Sequence, residues 1–198
     1  RDYLAELGML GFAKTTGSKG IHIYVRVEPG WDSFAIRGAV IALARELSER
    51  QPNLITDKWW KEERGERVFI DYNQNAPHKN MFGAWGVRPR VGAQVSTPFR
   101  WDELNTINPE ACTIDTVPHR LAAHGDPWEL MDEAPCSIAP LVERFAADLA
   151  DAENADRAQR RLAPAVLGPA MLARRRLVNR HLPVIAQGEI EDVFAELG

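Results

Sequence analysis

Cysteine is nearly absent from this chain: Cys112 and Cys136 are the two it has in 198 residues. Two widely spaced thiols exclude a disulfide scaffold and a cysteine-rich zinc centre, and they fit a reducing, cytoplasmic setting. No apolar run reaches the 18 residues that a membrane span needs, and no stretch reads as a signal peptide, so neither membrane insertion nor secretion is expected. A global basic field is also lacking, since the formal net charge is −4 with a pI near 5.8. Any nucleic-acid role must therefore rest on local basic patches. Internal repeats and low-complexity tracts are missing too. What is present, 45% hydrophobic and 26% charged residues, describes an ordinary globular protein long enough to bury a sizeable core.

The stretch that organises the rest is Lys14-Thr-Thr-Gly-Ser-Lys-Gly-Ile-His-Ile-Tyr-Val-Arg26. A glycine-punctuated loop, Thr15 to Gly20, runs into β-formers from Ile21 to Val27. Gly17 and Gly20 permit backbone angles that let amide N–H groups converge on an anion. Thr16 and Ser18 add hydroxyls, and Lys19 adds a compact charge. His22 shares a strand face with Tyr24, opposite Ile21 and Ile23. Such a loop suits a triphosphate at the lip of a sheet, and it equally describes a bare turn.

Residues 2–12 fit a short helix feeding the loop. After the turn Glu28-Pro-Gly-Trp31, Asp32 or Ser33 caps a helix over residues 34–50, with Ile36, Val40, Leu43, Ala44 and Leu47 on its buried face. This helix carries no assigned chemistry. Short strands are predicted at Leu54–Thr56, Val68–Tyr72 and Phe82–Val87, a helix or turn at Phe99–Leu104, and helices at Val117–His124 and Ser137–Leu149. Asp71 lies inside an apolar β run. It is either a strand-end carboxylate capping a turn or a metal ligand on a rigid support. Beyond residue 150 the composition shifts. Residues 157–188 hold no acid and seven arginines, among them Arg157 and Arg174, which either follow phosphates or form a solvated helical face. The predicted organisation is a domain over 1–150 and a helical, basic appendage over 151–198, in an α/β (α+β) architecture.

Three motifs in order carry a resemblance: Thr15-Thr-Gly-Ser-Lys-Gly-Ile-His-Ile-Tyr-Val, then Val68-Phe-Ile-Asp-Tyr-Asn-Gln-Asn-Ala, then Val87-Arg-Pro-Arg-Val-Gly-Ala-Gln-Val-Ser-Thr-Pro-Phe-Arg-Trp-Asp-Glu-Leu104. Over residues 12–145 the chain resembles the polymerase domain of bacterial ligase D and its stand-alone actinobacterial relatives, within the archaeo-eukaryotic primase superfamily. The run Trp59 to Asp71 is closer to the stand-alone forms. The resemblance implies a primase-polymerase-like mixed sheet with flanking helices, and a template-dependent nucleotidyltransferase of DNA end joining or gap filling that favours ribonucleotides. It places Thr16, Ser18, Lys19, Gly20 and Arg88 on the triphosphate of the incoming nucleotide, with His22 close to the phosphates or sugar. His22 and Asp71 are the candidate catalytic residues, and Asp71 is the third carboxylate of a two-metal site using Mn2+ or Mg2+. Gln74 and Asn75 are carried over as residues that shape the site. The implied partners are DNA primer-template or DNA ends, nucleoside triphosphates, a DNA ligase and a Ku-like end-binding protein, with no membrane.

One departure stands out. Members of that family carry two further metal-binding acids in an Asp-x-Asp motif upstream of the loop. Before Thr15 this sequence offers only Asp2 and Glu6 as acids, with Leu4 where a second acid after Asp2 would stand. The expectation is therefore the C-terminal part of an enzyme, its N-terminal portion missing and the chain inactive by itself. The alternative is a catalytically inactive nucleotide- or DNA-binding module.

Overall fold

A three-stranded antiparallel sheet, in the order β2 (Ile21–Val25), β1 (Gly11–Thr15) and β5 (Pro98–Phe99), holds the glycine loop at one end. The computed structural model describes residues 1–166, with side chains to residue 156. A short helix, α1 (Asp2–Glu6), leads into β1 (Gly11–Thr15), and β1 turns through residues 16–20 into β2 (Ile21–Val25). The ladder runs from Gly11↔Val25 to Thr15↔Ile21, so the loop is the tip of a hairpin. On its other side β1 pairs with β5 (Pro98–Phe99), Ala13 opposite Phe99 and Lys14 opposite Pro98. The helix expected over 2–12 thus stops at Glu6, and the rest of that stretch enters the central strand. β2 also ends earlier than expected, with Val27 making a lone parallel bridge to Cys136.

Helix α2 (Ser33–Arg50) begins at Asp32, whose carboxylate accepts the Ala35 N–H at 2.8 Å. That satisfies one of the amides a helix start leaves unpaired. Its fully buried residues are Gly38, Ala39, Ala42 and Ala44, a narrower and smaller set than the apolar face expected from the sequence. The reason is α4 (Ala139–Val166), which crosses so closely that a Cβ on Gly38 would stand 2.6 Å from Phe145 Cδ1. Only small side chains admit that approach. Leu4, Met9, Ile138 and Leu141 complete this core with Ala39 and Ala42. Arg45 bridges to Asp148 at 2.9 Å at its edge.

β3 (Ile55–Thr56) and β4 (Val68–Phe69) form a separate parallel pair. The strand expected over Val68–Tyr72 stops at Phe69, because Asp71 starts a 3-10 turn over Tyr72–Asn75. Phe82–Val87 is not a strand among the described residues. It makes a single bridge, Val87 to Val95. A 3-10 turn at Trp101–Glu103 lets the Trp101 indole donate to the Gly11 carbonyl at 2.6 Å. α3 (Thr116–His124) follows as expected. The mixed α/β architecture is the one the sequence predicts. α4 runs without a break through residue 150, and most of the basic stretch lies outside the described residues. Among those residues no helix is long and apolar enough to cross a membrane.

Candidate functional site

The hairpin loop is closed by its own backbone: Thr16 N–H donates to the Gly20 carbonyl at 2.9 Å. The Thr16 hydroxyl accepts the N–H groups of Ser18 and Gly20, each at 3.2 Å. Those two amides therefore converge on Thr16 Oγ1 rather than on open space, which revises the expectation that they would face an anion. Thr16 organises the loop from within. Gly17 takes φ +66°, where side chains are disfavoured. A Cβ there would meet Arg88 Cγ at 2.9 Å and Ser96 N at 3.2 Å. Gly20 has no such angle, and a Cβ there would make only ordinary contacts with Thr16 at 3.4 Å and beyond, so the glycine requirement falls on Gly17.

Two arginines strap this loop from the segment between Val87 and Val95. Arg88 Nε donates to the Thr16 carbonyl at 2.9 Å while its guanidinium stacks 3.7 Å from the Phe82 ring centre. Arg90 donates to the Gly17 carbonyl at 2.7 Å and to the Ser18 hydroxyl at 3.2 Å. The sequence singles out Arg88 for the triphosphate, and here its Nε holds the loop backbone. Arg90 was not assigned, although its position two residues beyond, across Pro89, was the available signal. Lys19 is exposed.

Behind the loop the sheet carries an unusual pair. Lys14 stands opposite His22 in the β1–β2 register, so both side chains leave the same face. Lys14 is fully buried, and its ammonium donates to the Ser96 hydroxyl. Burial, with the charge of Arg88 second, lowers its pKa to about 8. The His22 Nδ1 is buried and has no hydrogen-bond partner. Burial first, then the nearby cations Lys14 and Arg88, pushes the His22 pKa down to about 4, with Asp71 opposing. His22 is therefore neutral at pH 7. An orphaned buried nitrogen costs free energy until a partner arrives. Arg88 is itself lowered by burial and by Arg90. The concentration of positive charge at one loop is what a polyanion would offset.

Asp71 lies close enough to act on His22, but its oxygens are in use. Oδ1 accepts the Asn73 N–H at 3.1 Å and Oδ2 accepts the Gln74 side-chain amide at 3.0 Å. The capping geometry weighed from the sequence is therefore present. Gln74 orients this carboxylate, whereas Asn75 turns to the Tyr72 carbonyl at 3.5 Å. Helix α2 contributes after all: Arg37 donates to Asn73 Oδ1 at 2.8 Å and lies 5.5 Å from the Tyr72 ring centre, pinning the turn. Among the described residues there is no group of three or more His, Cys, Asp or Glu side chains that could hold a metal ion. One engaged carboxylate does not make a two-ion centre, so these residues alone do not fit one.

The family model for the LigD primase-polymerase domain matches residues 1–128. The chain belongs to the LigD primase-polymerase family. It is 32% identical over 148 residues to the multifunctional non-homologous end joining DNA repair protein LigD of Mycobacterium tuberculosis, covering 73% of this chain and 19% of that protein. The LigD of Pseudomonas aeruginosa is 32% identical over 130 residues, with 63% of this chain and 15% of that one covered. The bifunctional LigD of Bacillus subtilis is 27% identical over 127 residues, covering 63% and 21%. A solved structure of the polymerase domain from Mycobacterium tuberculosis ligase D in complex with DNA superposes with a TM-score of 0.61 at 32% identity. That match covers 68% of this chain and 47% of the other. The chain thus spans about a fifth or less of the length of these LigD proteins, and under half of the solved polymerase domain. The fold is that of the LigD polymerase domain.

Proposed function

We propose that this chain supplies the nucleotide-holding part of a template-directed nucleotidyltransferase that fills or joins broken DNA ends. The observation that carries the reading is the Thr16–Gly20 loop, strapped by Arg88 and Arg90 and backed by His22, in a member of the LigD primase-polymerase family. In this reading Ser18, Lys19 and Arg88 receive the triphosphate of the incoming nucleotide. Thr16 and Gly20 give the loop its shape. His22 offers a neutral ring nitrogen to a phosphate or sugar oxygen. Cationic and dipolar groups fixed before the substrate arrives suit a transfer in which negative charge moves onto a pyrophosphate leaving group. The nucleotide is a ribonucleotide by preference, and the acceptor is a DNA primer on its template or a DNA end. A DNA ligase and a Ku-like end-binding protein are the proposed partners. Asp71 is the acidic residue the chain offers toward Mn2+ or Mg2+, the ions that supply charge neutralisation in this class of reaction when bound. The setting is the cytoplasm.

A second reading, a nucleotide- or DNA-binding module without transfer chemistry, is favoured by one feature: both Asp71 oxygens are already hydrogen-bonded within the chain. The two separate in one assay. The protein is mixed with primed template DNA, Mn2+ and each nucleoside triphosphate, and both nucleotide binding and primer extension are read. Template-directed extension, by the chain or by a longer polymerase domain that carries it behind an Asp-x-Asp segment, supports the first reading, and binding without extension by both supports the second. Absence of both would remove the nucleotide from the account.

A further inference from the structure

Lys14 has no place among the residues assigned so far, and its surroundings are the least ordinary in the fold. Lysine is almost never fully buried unless paired, yet Lys14 is 0% exposed on the central strand. Its ammonium has the Ser96 hydroxyl as hydrogen-bond partner and the Tyr24 ring centre 5.8 Å away. No carboxylate among the described residues pairs with it; the titratable and charged groups that face it are the neutral His22 from β2 and the cationic Arg88 from the strapping segment. Tyr24, held neutral by burial, completes that side. Ser96 Oγ passes the contact on, donating to the Thr15 carbonyl at 2.8 Å where the loop departs from β1. The Thr15 hydroxyl accepts the Thr97 N–H at 2.9 Å, so this corner is rigid.

A buried cation without an anion is expensive, because water is lost and nothing replaces it. Three basic groups gathered behind one loop make the cost larger. A bound anion at the loop would lower it, since charge acts further through the low-dielectric interior than through water. We infer that Lys14 is a positioning residue of the nucleotide site: it sets the loop through Ser96 and Thr15, and its uncompensated charge is answered by a bound polyphosphate. This deepens the nucleotide reading above and rests on it. The lowered pKa, about 8, adds a consequence. A polyanion favours the protonated amine, so binding above that pH takes up a proton, and affinity falls as pH rises through this range.

The test uses ATP and three proteins: the unmodified chain, Lys14→Met and Lys14→Arg. Methionine keeps the volume and removes the buried charge, so Lys14→Met should fold and melt no lower than the parent. Its ATP affinity at pH 7 should drop about tenfold, and the fall in affinity across pH 8 should vanish. Lys14→Arg, charged throughout, should recover part of the affinity with a flat pH profile. On the unmodified protein, calorimetry at pH 8 in buffers of different ionisation enthalpy should show proton uptake on ATP binding, a readout that holds even if a variant does not fold. A parent that binds ATP without proton uptake, or Lys14→Met with parental affinity and pH profile, would overturn this inference alone. A parent that binds no ATP would overturn the nucleotide reading with it.

Discussion

Arg90 holds Gly17 and Ser18 with one guanidinium, donating to the carbonyl of the first at 2.7 Å and to the hydroxyl of the second at 3.2 Å. The planar fork makes both bonds at once, which an ammonium on a flexible stem cannot imitate. Arg90→Lys keeps the charge and loses the strap. It should cost about 1 kcal/mol of stability, the net worth of a hydrogen bond or so. ATP affinity should fall several-fold, because the loop must then be ordered on binding. Affinity equal to the parent in a titration would show that the strap does not shape the site.

The two loop glycines should respond differently to the same change. Gly17→Ala forces a side chain onto φ +66° and into Arg88 Cγ at 2.9 Å. A loss of about 1–3 kcal/mol is expected, together with weakened nucleotide binding. Gly20→Ala meets nothing nearer than Thr16 Cγ2 at 3.4 Å, an ordinary contact. It should change stability by less than about 0.5 kcal/mol. Equal melting temperatures for the two variants would refute the assignment of the turn to Gly17.

How far the sequence alone reached follows from where the information lies. Helix α2 was legible because Asp32 is a local cap and the apolar spacing is local too. Of its buried residues Ala44 was legible too, while Gly38, Ala39 and Ala42 were not, since the close crossing of α4 at Phe145, far along the chain, is what selects small side chains. β1 was missed because Gly11 and Lys14 are poor strand signals and the strand is held by neighbours on both sides. The loop's identity came from three ordered motifs rather than from periodicity. The direction of its amides, onto Thr16 rather than outward, depends on one hydroxyl rotamer. Arg88 and Arg90 look alike in the sequence, and which carbonyl each one reaches is a tertiary fact. Val68-Phe-Ile reads as a strand running on to Tyr72, yet Asp71 caps a turn and ends it.

At Asp71 stability and chemistry should separate. Removing the carboxylate deletes the acceptor of the Asn73 N–H and the anchor of Gln74. Asp71→Ala should therefore cost about 1 kcal/mol, as for other lost caps. Asp71→Asn keeps one oxygen for the Asn73 N–H and should lose less. Both variants should bind ATP within about twofold of the parent, since the loop and its arginines are untouched. Placed in a longer polymerase domain that carries this chain behind an Asp-x-Asp segment and extends primers, neither should support metal-dependent nucleotide addition. Full extension by Asp71→Asn would remove Asp71 from the metal.

His22 makes the fold sensitive to acid in a direction that can be worked out. Its pKa is about 4 in the folded chain against an ordinary 6.5. Between those values the unfolded chain binds the proton and the folded chain does not, so stability rises with pH across the window. The contribution is fully present above pH 6.5 and is lost as pH falls through about 4. Burial is the leading cause, with Lys14 and Arg88 adding repulsion, so the effect belongs to the histidine itself. His22→Gln, which cannot titrate, should unfold with a shallower dependence on pH between about 4 and 6.5 while matching the parent's slope above it. Urea midpoints measured at half-unit steps of pH for both proteins give the comparison. Parallel curves through the window would mean that the imidazole titrates normally in the folded chain and is open to water.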